Sequence, residues 1–199
     1  HEHDLNSDIR YDAKDSDPIG GMVSGIVLES GEFNKTIDAG FYQLAAIGDT
    51  AWIDINVNGI QNVGEPGVGG VSVTLLNANT MNPVTVDAYG NPIGTGGTIL
   101  TNTNGAYLFS KLLPGDYKVQ FDLPTGYART SPNAGADNKD SDASATTGMT
   151  GTYTLSAGET NRTVDAGYTK IPVNICGNVF YDSNRLFDNL VNGSHNVPI

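Results

Sequence analysis

The sequence predicts an all-β chain: tandem β-sandwich domains with about seven short strands in each repeat. Three observations predict it. Apolar residues alternate at period two through Val71-Ser-Val-Thr-Leu75 and through Tyr117-Lys-Val-Gln-Phe-Asp-Leu123, as in strands with one buried face. Turn signals such as Asn104-Gly105 and Pro114-Gly115 punctuate those runs, in a chain with 25 glycines. No segment of the central region carries a convincing helical period.

Taken in order, the first strand is Ala46 to Ile53. Val71–Leu75 is the next alternating run. Asn104-Gly105 is a strong hairpin signal, and Tyr107-Leu-Phe109 follows it directly. Pro114-Gly115 makes the next turn and releases the chain into Tyr117–Leu123. Tyr153-Thr-Leu155 and Thr163-Val-Asp165 close the domain. The single tryptophan, Trp52, stands on the first strand beside a turn, where a core role outweighs a sugar-binding platform.

Residues 54 to 65 read Asp-Ile-Asn-Val-Asn-Gly-Ile-Gln-Asn-Val-Gly-Glu. This spacing is that of a twelve-residue calcium loop. Ca²⁺ takes six to eight oxygens, and the pattern curls the chain so that they converge. Asp54, Asn56 and Asn58 supply side-chain oxygens at positions 1, 3 and 5. Gly59 permits the sharp turn. Ile60 offers its backbone carbonyl, Asn62 acts at position 9, and Glu65 closes the loop with two oxygens. A second cluster, Asp137, Asp140 and Asp142, places three carboxylates so close that a cation between them is favoured over a solvated turn. Asp165 and Asp38 admit two readings, as members of a metal site or as caps on a strand turn.

The second cluster is repeated. Asp12-Ala-Lys-Asp15-Ser-Asp17 returns 125 residues later as Asp137-Asn-Lys-Asp140-Ser-Asp142. Thr36-Ile-Asp38-Ala-Gly-Phe41 returns 127 residues later as Thr163-Val-Asp165-Ala-Gly-Tyr168. Trp52-Ile-Asp54-Ile-Asn56 is echoed 128 residues later by Phe180-Tyr-Asp182-Ser-Asn184. A domain-sized period means beads on a string rather than a solenoid. Residues 1–43 are then the C-terminal part of one repeat, 44–168 a complete repeat, and 169–199 the N-terminal part of a third. The third departs from the loop pattern, because Leu186 stands where Asn58 would align. The joints lack the Gly/Ser run of a flexible linker, so neighbouring repeats of the same chain are the expected partners.

Composition excludes several classes. Lys and Arg number 10 and Asp and Glu 22, for a net charge of −12. Such a surface repels nucleic acid and anionic membranes and suits cations. No apolar run is long enough to span a bilayer. The one cysteine, Cys176, forms no disulfide within the chain and reads as a buried small hydrophobe. Residues 44–168 contain neither His nor Cys, and their carboxylates fall at metal-ligand spacings, so no enzyme is expected. His1, His3 and His195 lie near the chain ends and carry no assigned role.

The run Ile47-Gly-Asp-Thr-Ala-Trp52-Ile-Asp54, the calcium loop and Gly70-Val-Ser-Val-Thr-Leu75 resemble the opening of the SdrD B-like domain. Asn104-Gly-Ala-Tyr107-Leu-Phe109 with Leu112-Leu-Pro114-Gly-Asp-Tyr117, then Asp140-Ser-Asp142 and Asp165-Ala-Gly-Tyr168, match its middle and close. The family belongs among the Cna B-type, prealbumin-like sandwiches of bacterial surface adhesins. The resemblance implies a secreted, cell-surface protein and a calcium-binding repeat that acts as a rigid spacer between an anchor and a ligand-binding tip outside this chain. A binding module contacting a host protein or glycan, and an accessory domain of a secreted hydrolase, are the alternatives. Some relatives form a Lys–Asn isopeptide bond from the first strand, but Ala46–Ile53 contains no lysine.

Overall fold

A computed structural model describes residues 22–35 and 37–172. Nine strands form, and no helix appears among the described residues. They are β1 (Ala45–Ile53), β2 (Ser72–Asn77), β3 (Thr98–Leu100), β4 (Ala106–Leu112), β5 (Gly115–Phe121), β6 (Tyr127–Arg129), β7 (Tyr153–Leu155), β8 (Thr160–Asn161) and β9 (Ala166–Lys170). One sheet runs β4-β1-β9-β6, with β8 also on β1; the other runs β3-β2-β5-β7. The all-β sandwich expected from the sequence is therefore present. No helix of the described residues is long and apolar enough to cross a membrane.

The period-two runs become strands because each buries one face. In β5, Tyr117, Val119 and Phe121 are buried while the residues between them are half-buried. In β2, Val73 and Leu75 are fully buried and pair with Phe121 and Val119 of β5. Phe109 of β4 and Ile47 and Ala51 of β1 cover this layer from the other sheet. Tyr107 packs edge-on to Phe121 at 5.4 Å between ring centres and 90° between planes, a favoured aromatic geometry. Its hydroxyl donates to the Val164 carbonyl at 2.7 Å, so the polar tip is satisfied inside the core. Trp52 is fully buried, as expected for a core residue.

Three local expectations need correction. The Asn104-Gly105 turn forms, with Gly105 at φ 82° and its N–H on the Asn102 carbonyl at 2.9 Å. It does not join two paired strands, however: β3 pairs with β2 and β4 pairs with β1. The turn carries the chain from one sheet to the other, and the turn after β4 carries it back. The segment Thr163–Asp165 is not a strand. β1 advances from Ile47 to Ala51 while its parallel neighbour advances from Asn161 to Ala166, so one extra residue bulges between β8 and β9. Finally, β3 and β6 were not anticipated; at three residues each, neither is long enough to show a period.

The pairing of β1 with β9 is parallel. The chain therefore enters at one end of the sandwich and leaves at the other. β1 alone, at nine residues, separates those ends by roughly 30 Å.

The crossing after β3 depends on Gly105. A Cβ there would lie 2.1 Å from the Ala51 carbonyl oxygen, and the positive φ is itself unfavourable for an L-residue by about 1–2 kcal/mol. Gly105→Ala is expected to destabilise the domain by more than ~2 kcal/mol, lowering its melting midpoint by roughly 8 °C or more for a domain of this size. Thermal unfolding followed by circular dichroism measures this; an unchanged midpoint would mean the turn relaxes freely.

Candidate functional site

The twelve-residue loop begins where β1 ends. Asp54 is buried to 1% exposure, and its N–H donates to the Tyr168 carbonyl at 2.8 Å. Its carboxylate organises the loop. Oδ1 accepts from the Asn58 N–H at 3.1 Å and Oδ2 from the Gly59 N–H at 2.8 Å. Oδ2 also accepts from the Thr130 hydroxyl. Gly59 sits at φ 77°, and a Cβ there would come within 2.7 Å of Ala134 Cβ and the Ser131 carbonyl oxygen. The sharp turn expected at position 6 is thus real, and only glycine fits it.

The remaining loop residues converge as the spacing implies. Glu65 reaches back across the loop, accepting from the Ile55 N–H at Oε1 and the Asn62 N–H at Oε2, both at 2.8 Å. Asn56 and Asn58 each accept from the backbone N–H two residues on. Their amide groups meet at Asn62 Oδ1, at 2.9 and 3.0 Å. Ile60 lies at the edge, bridged to Asp140 of the second acidic segment. The donor set is all oxygen, as a hard cation requires. Asp54 Oδ1 and both Glu65 carboxylate oxygens each keep a second lone pair beyond the hydrogen bond they accept, whereas Asp54 Oδ2 already accepts two. A half-turn of the Asn56 and Asn58 amides exchanges nitrogen for oxygen on the same side.

The second acidic segment lies against the first. The Gln61 N–H donates to the Lys139 carbonyl at 2.6 Å, and Gly135 abuts Ile60. Asp140 and Asp142 are buried, and Asp137 is exposed. Asp140 Oδ2 accepts from the Gly135 N–H at 2.8 Å, but its Oδ1 is buried with no hydrogen-bond partner. Asp142 and Asp165 are linked reciprocally. The Asp142 N–H donates to the Asp165 carbonyl at 2.9 Å, and the Asp165 N–H donates to Asp142 Oδ2 at 2.7 Å. Asp165 Oδ1 accepts from the Thr50 N–H at 3.0 Å, while Oδ2 is buried without a partner.

Two carboxylate oxygens buried without donors are costly if charged. Burial first, and then the neighbouring charges of Asp49, Asp142 and Asp140, push the Asp165 carboxyl up to about 8. Burial, with Asp137 and Asp140 nearby, pushes Asp142 up to about 6. Burial also raises Asp49, against the pull of the Thr50 hydroxyl and Arg162. Among the described residues, no three His, Cys, Asp or Glu side chains close into a ready-made metal cage; the acids are neighbours, and the loops hold them apart.

The sequence reading brought Asp137, Asp140 and Asp142 together and left Asp165 undecided. The fold joins Asp165 to Asp142, and it adds Asp49, whose charge acts on Asp165. Strand geometry was the missing signal: parallel pairing of β1 with β9 places residue 50 beside residue 165. Thr130 was also missed, since nothing in the sequence ties it to Asp54. Asp38 is exposed. Asp12, Asp15, Asp17, Cys176 and the loop echo from Phe180 to Asp188 lie outside the described residues.

Comparison with known proteins gives a consistent answer. Serine-aspartate repeat-containing protein F of Staphylococcus epidermidis is 36% identical over 181 residues, 87% of this chain and 9% of the relative. Serine-aspartate repeat-containing protein D of Staphylococcus aureus strain Newman is 37% identical over 172 residues, 85% of this chain and 12% of the relative. The chain therefore spans about a tenth of the length of these relatives. Among solved structures, GBS52, the minor pilin of Streptococcus agalactiae, aligns with a TM-score of 0.45 at 16% identity, covering 68% of this chain and 48% of that one. The SdrD B-like domain matches residues 45–168, well over half of the sequence and the same span that β1 to β9 enclose, and the chain belongs to that family.

Proposed function

We propose that residues 45–168 are a calcium-binding structural repeat, one bead of a rigid stalk in a bacterial cell-surface adhesin. The observation that carries this reading is the parallel pairing of β1 with β9. It sends the chain in at one end and out at the other, so repeats string into a line. The similarity to two staphylococcal repeat proteins, each about ten times longer than the matched span, supports the same role. A non-catalytic role fits a domain with no His or Cys.

Asp54, Asn56, Asn58, Ile60, Asn62 and Glu65 would hold one ion. Asp137, Asp140 and Asp142, joined by Asp165 and Asp49, would supply oxygens for further cation binding. A bound Ca²⁺ supplies positive charge and coordination where the fold buries carboxylate oxygens without donors. The protein's own contribution is to hold the loop closed through Asp54 and Glu65, and to tie it to the chain after β6 through Thr130 and to the second segment through the Ile60–Asp140 bridge. Calcium would stiffen the end from which the chain leaves.

Titration calorimetry on the 199-residue chain tests the ion directly. Heat of binding is expected with a dissociation constant on the order of 10⁻⁴ M or tighter, as in extracellular modules. Glu65→Ala should remove one binding event. At free calcium a hundredfold above that constant, stability should rise by about 2.7 kcal/mol, raising the melting midpoint by several degrees. No binding heat, or the same heat in Glu65→Ala, would remove the loop assignment.

The raised acids predict a pH dependence whose sign is unusual for carboxylates. In the fold, Asp142 and Asp165 hold protons up to about 6 and about 8. In the unfolded chain they release them near the ordinary value of 3.8. Between roughly pH 4 and pH 8 the native state therefore binds more protons, and stability falls as pH rises through that window. In metal-free buffer the melting midpoint should decline from pH 5 to pH 8. Asp165→Asn should flatten the decline, and saturating calcium should do the same. A midpoint independent of pH without calcium would show that these acids carry no burial penalty.

A further inference from the structure

Two of the exposed apolar side chains of the calcium-type loop, Ile55 and Val57, donate nothing to a cation and border a groove. Ile55 and Val57 are 65% and 66% exposed. Val57 also holds φ at 59°, a left-handed conformation that is a genuine outlier for a β-branched residue. Asn or Gly at this position would relieve both the strain and the exposure. Ile55 and Val57 border a groove of about 350 Å³ together with Ile53, Pro66, Thr169 and Lys170. Most of its wall is aliphatic, and its rim carries a lysine in a chain of net charge −12.

The groove's position limits what can fill it. It lies where β1 and β9 both end, and the chain departs from its Thr169–Lys170 wall into Ile171, itself 53% exposed. β1 starts at Ala45, and the echo of Trp52-Ile-Asp54 in Phe180-Tyr-Asp182 has an offset of 128. By that offset, the sequence position equivalent to Ala45 is Val173. Only Ile171 and Pro172 then lie between it and β9, a reach of roughly 7 Å, and the proline fixes one of the few free dihedrals. A following repeat has no room to stand away from this surface.

The geometry points to this groove as the seat for the leading end of a following repeat of the same fold. The inference rests on the tandem-stalk reading above and names the surface that would make the stalk stiff. The leading end is visible in this repeat, around the start of β1. Leu113 is 46% exposed there. The turn from Ser156 to Glu159 is held to the incoming chain, with the Gly158 N–H on the Gln43 carbonyl at 3.1 Å and the Ala46 N–H on the Glu159 carbonyl at 2.8 Å. Leu113 offers apolar surface to the groove, and Glu159 offers a carboxylate opposite in sign to Lys170. A contact between unlike ends of identical units repeats along a line without closing.

Residues 45–172 enclose their own core and both sheets, so the test uses this span alone and as two copies joined directly. Cys176 is absent from it, so Ser110→Cys on exposed β4 gives one spin label per repeat. Distances between the labels are measured by pulsed electron spin resonance in saturating calcium. The parent tandem should give a narrow distribution. Ile55→Ser with Val57→Asn in the first copy should broaden it at least twofold. In the single repeat the same pair should leave the melting midpoint unchanged or slightly higher, because Asn tolerates the left-handed position. Ile55→Ser alone serves as a second variant should the pair fail to fold. A narrow distribution unmoved by these changes overturns the groove assignment and leaves the stalk standing. A broad distribution in the parent tandem overturns both. Concentration-dependent pairing of single repeats, abolished by the substitutions, would assign the groove to a lateral copy and overturn the inference as well.

Discussion

The carboxylate of Asp54 is the interaction on which this end of the molecule depends. It terminates β1, turns the backbone at Asn58 and Gly59, and reaches Thr130 just after β6. Its own N–H is held by Tyr168 of the departing strand. One buried residue thus joins the end of the first strand, the last strand, its own loop and the chain after β6. A charged group at 1% exposure is tolerated only because several donors meet it. Replacing it would leave two backbone N–H groups and a hydroxyl without their acceptor, and the loop would lose the turn that gathers its oxygens.

The neighbouring acids pose the opposite problem. Asp140 and Asp165 each bury an oxygen with no donor in reach, and Asp142 lies between them in the network. The fold accommodates Asp142 and Asp165 through raised proton affinity, a solution whose stabilising effect fades as pH rises. A bound divalent cation, as proposed above, would be a compensation that persists at neutral pH. Stability and environment would then be linked: the domain is most rigid where the protein is proposed to work.

The architecture explains why such a device sits where it does. Antiparallel neighbours alone would return the chain to its starting end. The parallel contact between β1 and β9 does not, and it leaves the calcium-type loop beside the exit strand. The same loop presents Ile55 and Val57 outward. The proposed coordination and the proposed contact between domains would therefore share one twelve-residue segment, with side-chain oxygens and exposed apolar side chains interleaved along it.

Much of this was legible in the sequence. The period of Val71–Leu75 and Tyr117–Leu123 marked two core strands, because a strand with one buried face must alternate. The loop from Asp54 to Glu65 was legible because its donors are local: each is fixed relative to the others by a short turn. What the sequence could not show was anything set by pairing between distant strands. Asn104-Gly105 has the chemistry of a hairpin turn, yet the tertiary structure uses it to change sheets, since β4 finds its partner in β1. Asp49 looked isolated until the parallel register placed Thr50 against Asp165. The bulge before β9 depends on a one-residue mismatch that no local propensity encodes. The sequence by itself determined the all-β class, the long alternating strands and the closed turn from Asp54 to Glu65, whose geometry is local. The tertiary structure decided which carboxylates share an interior, because that follows from the register of strands more than a hundred residues apart.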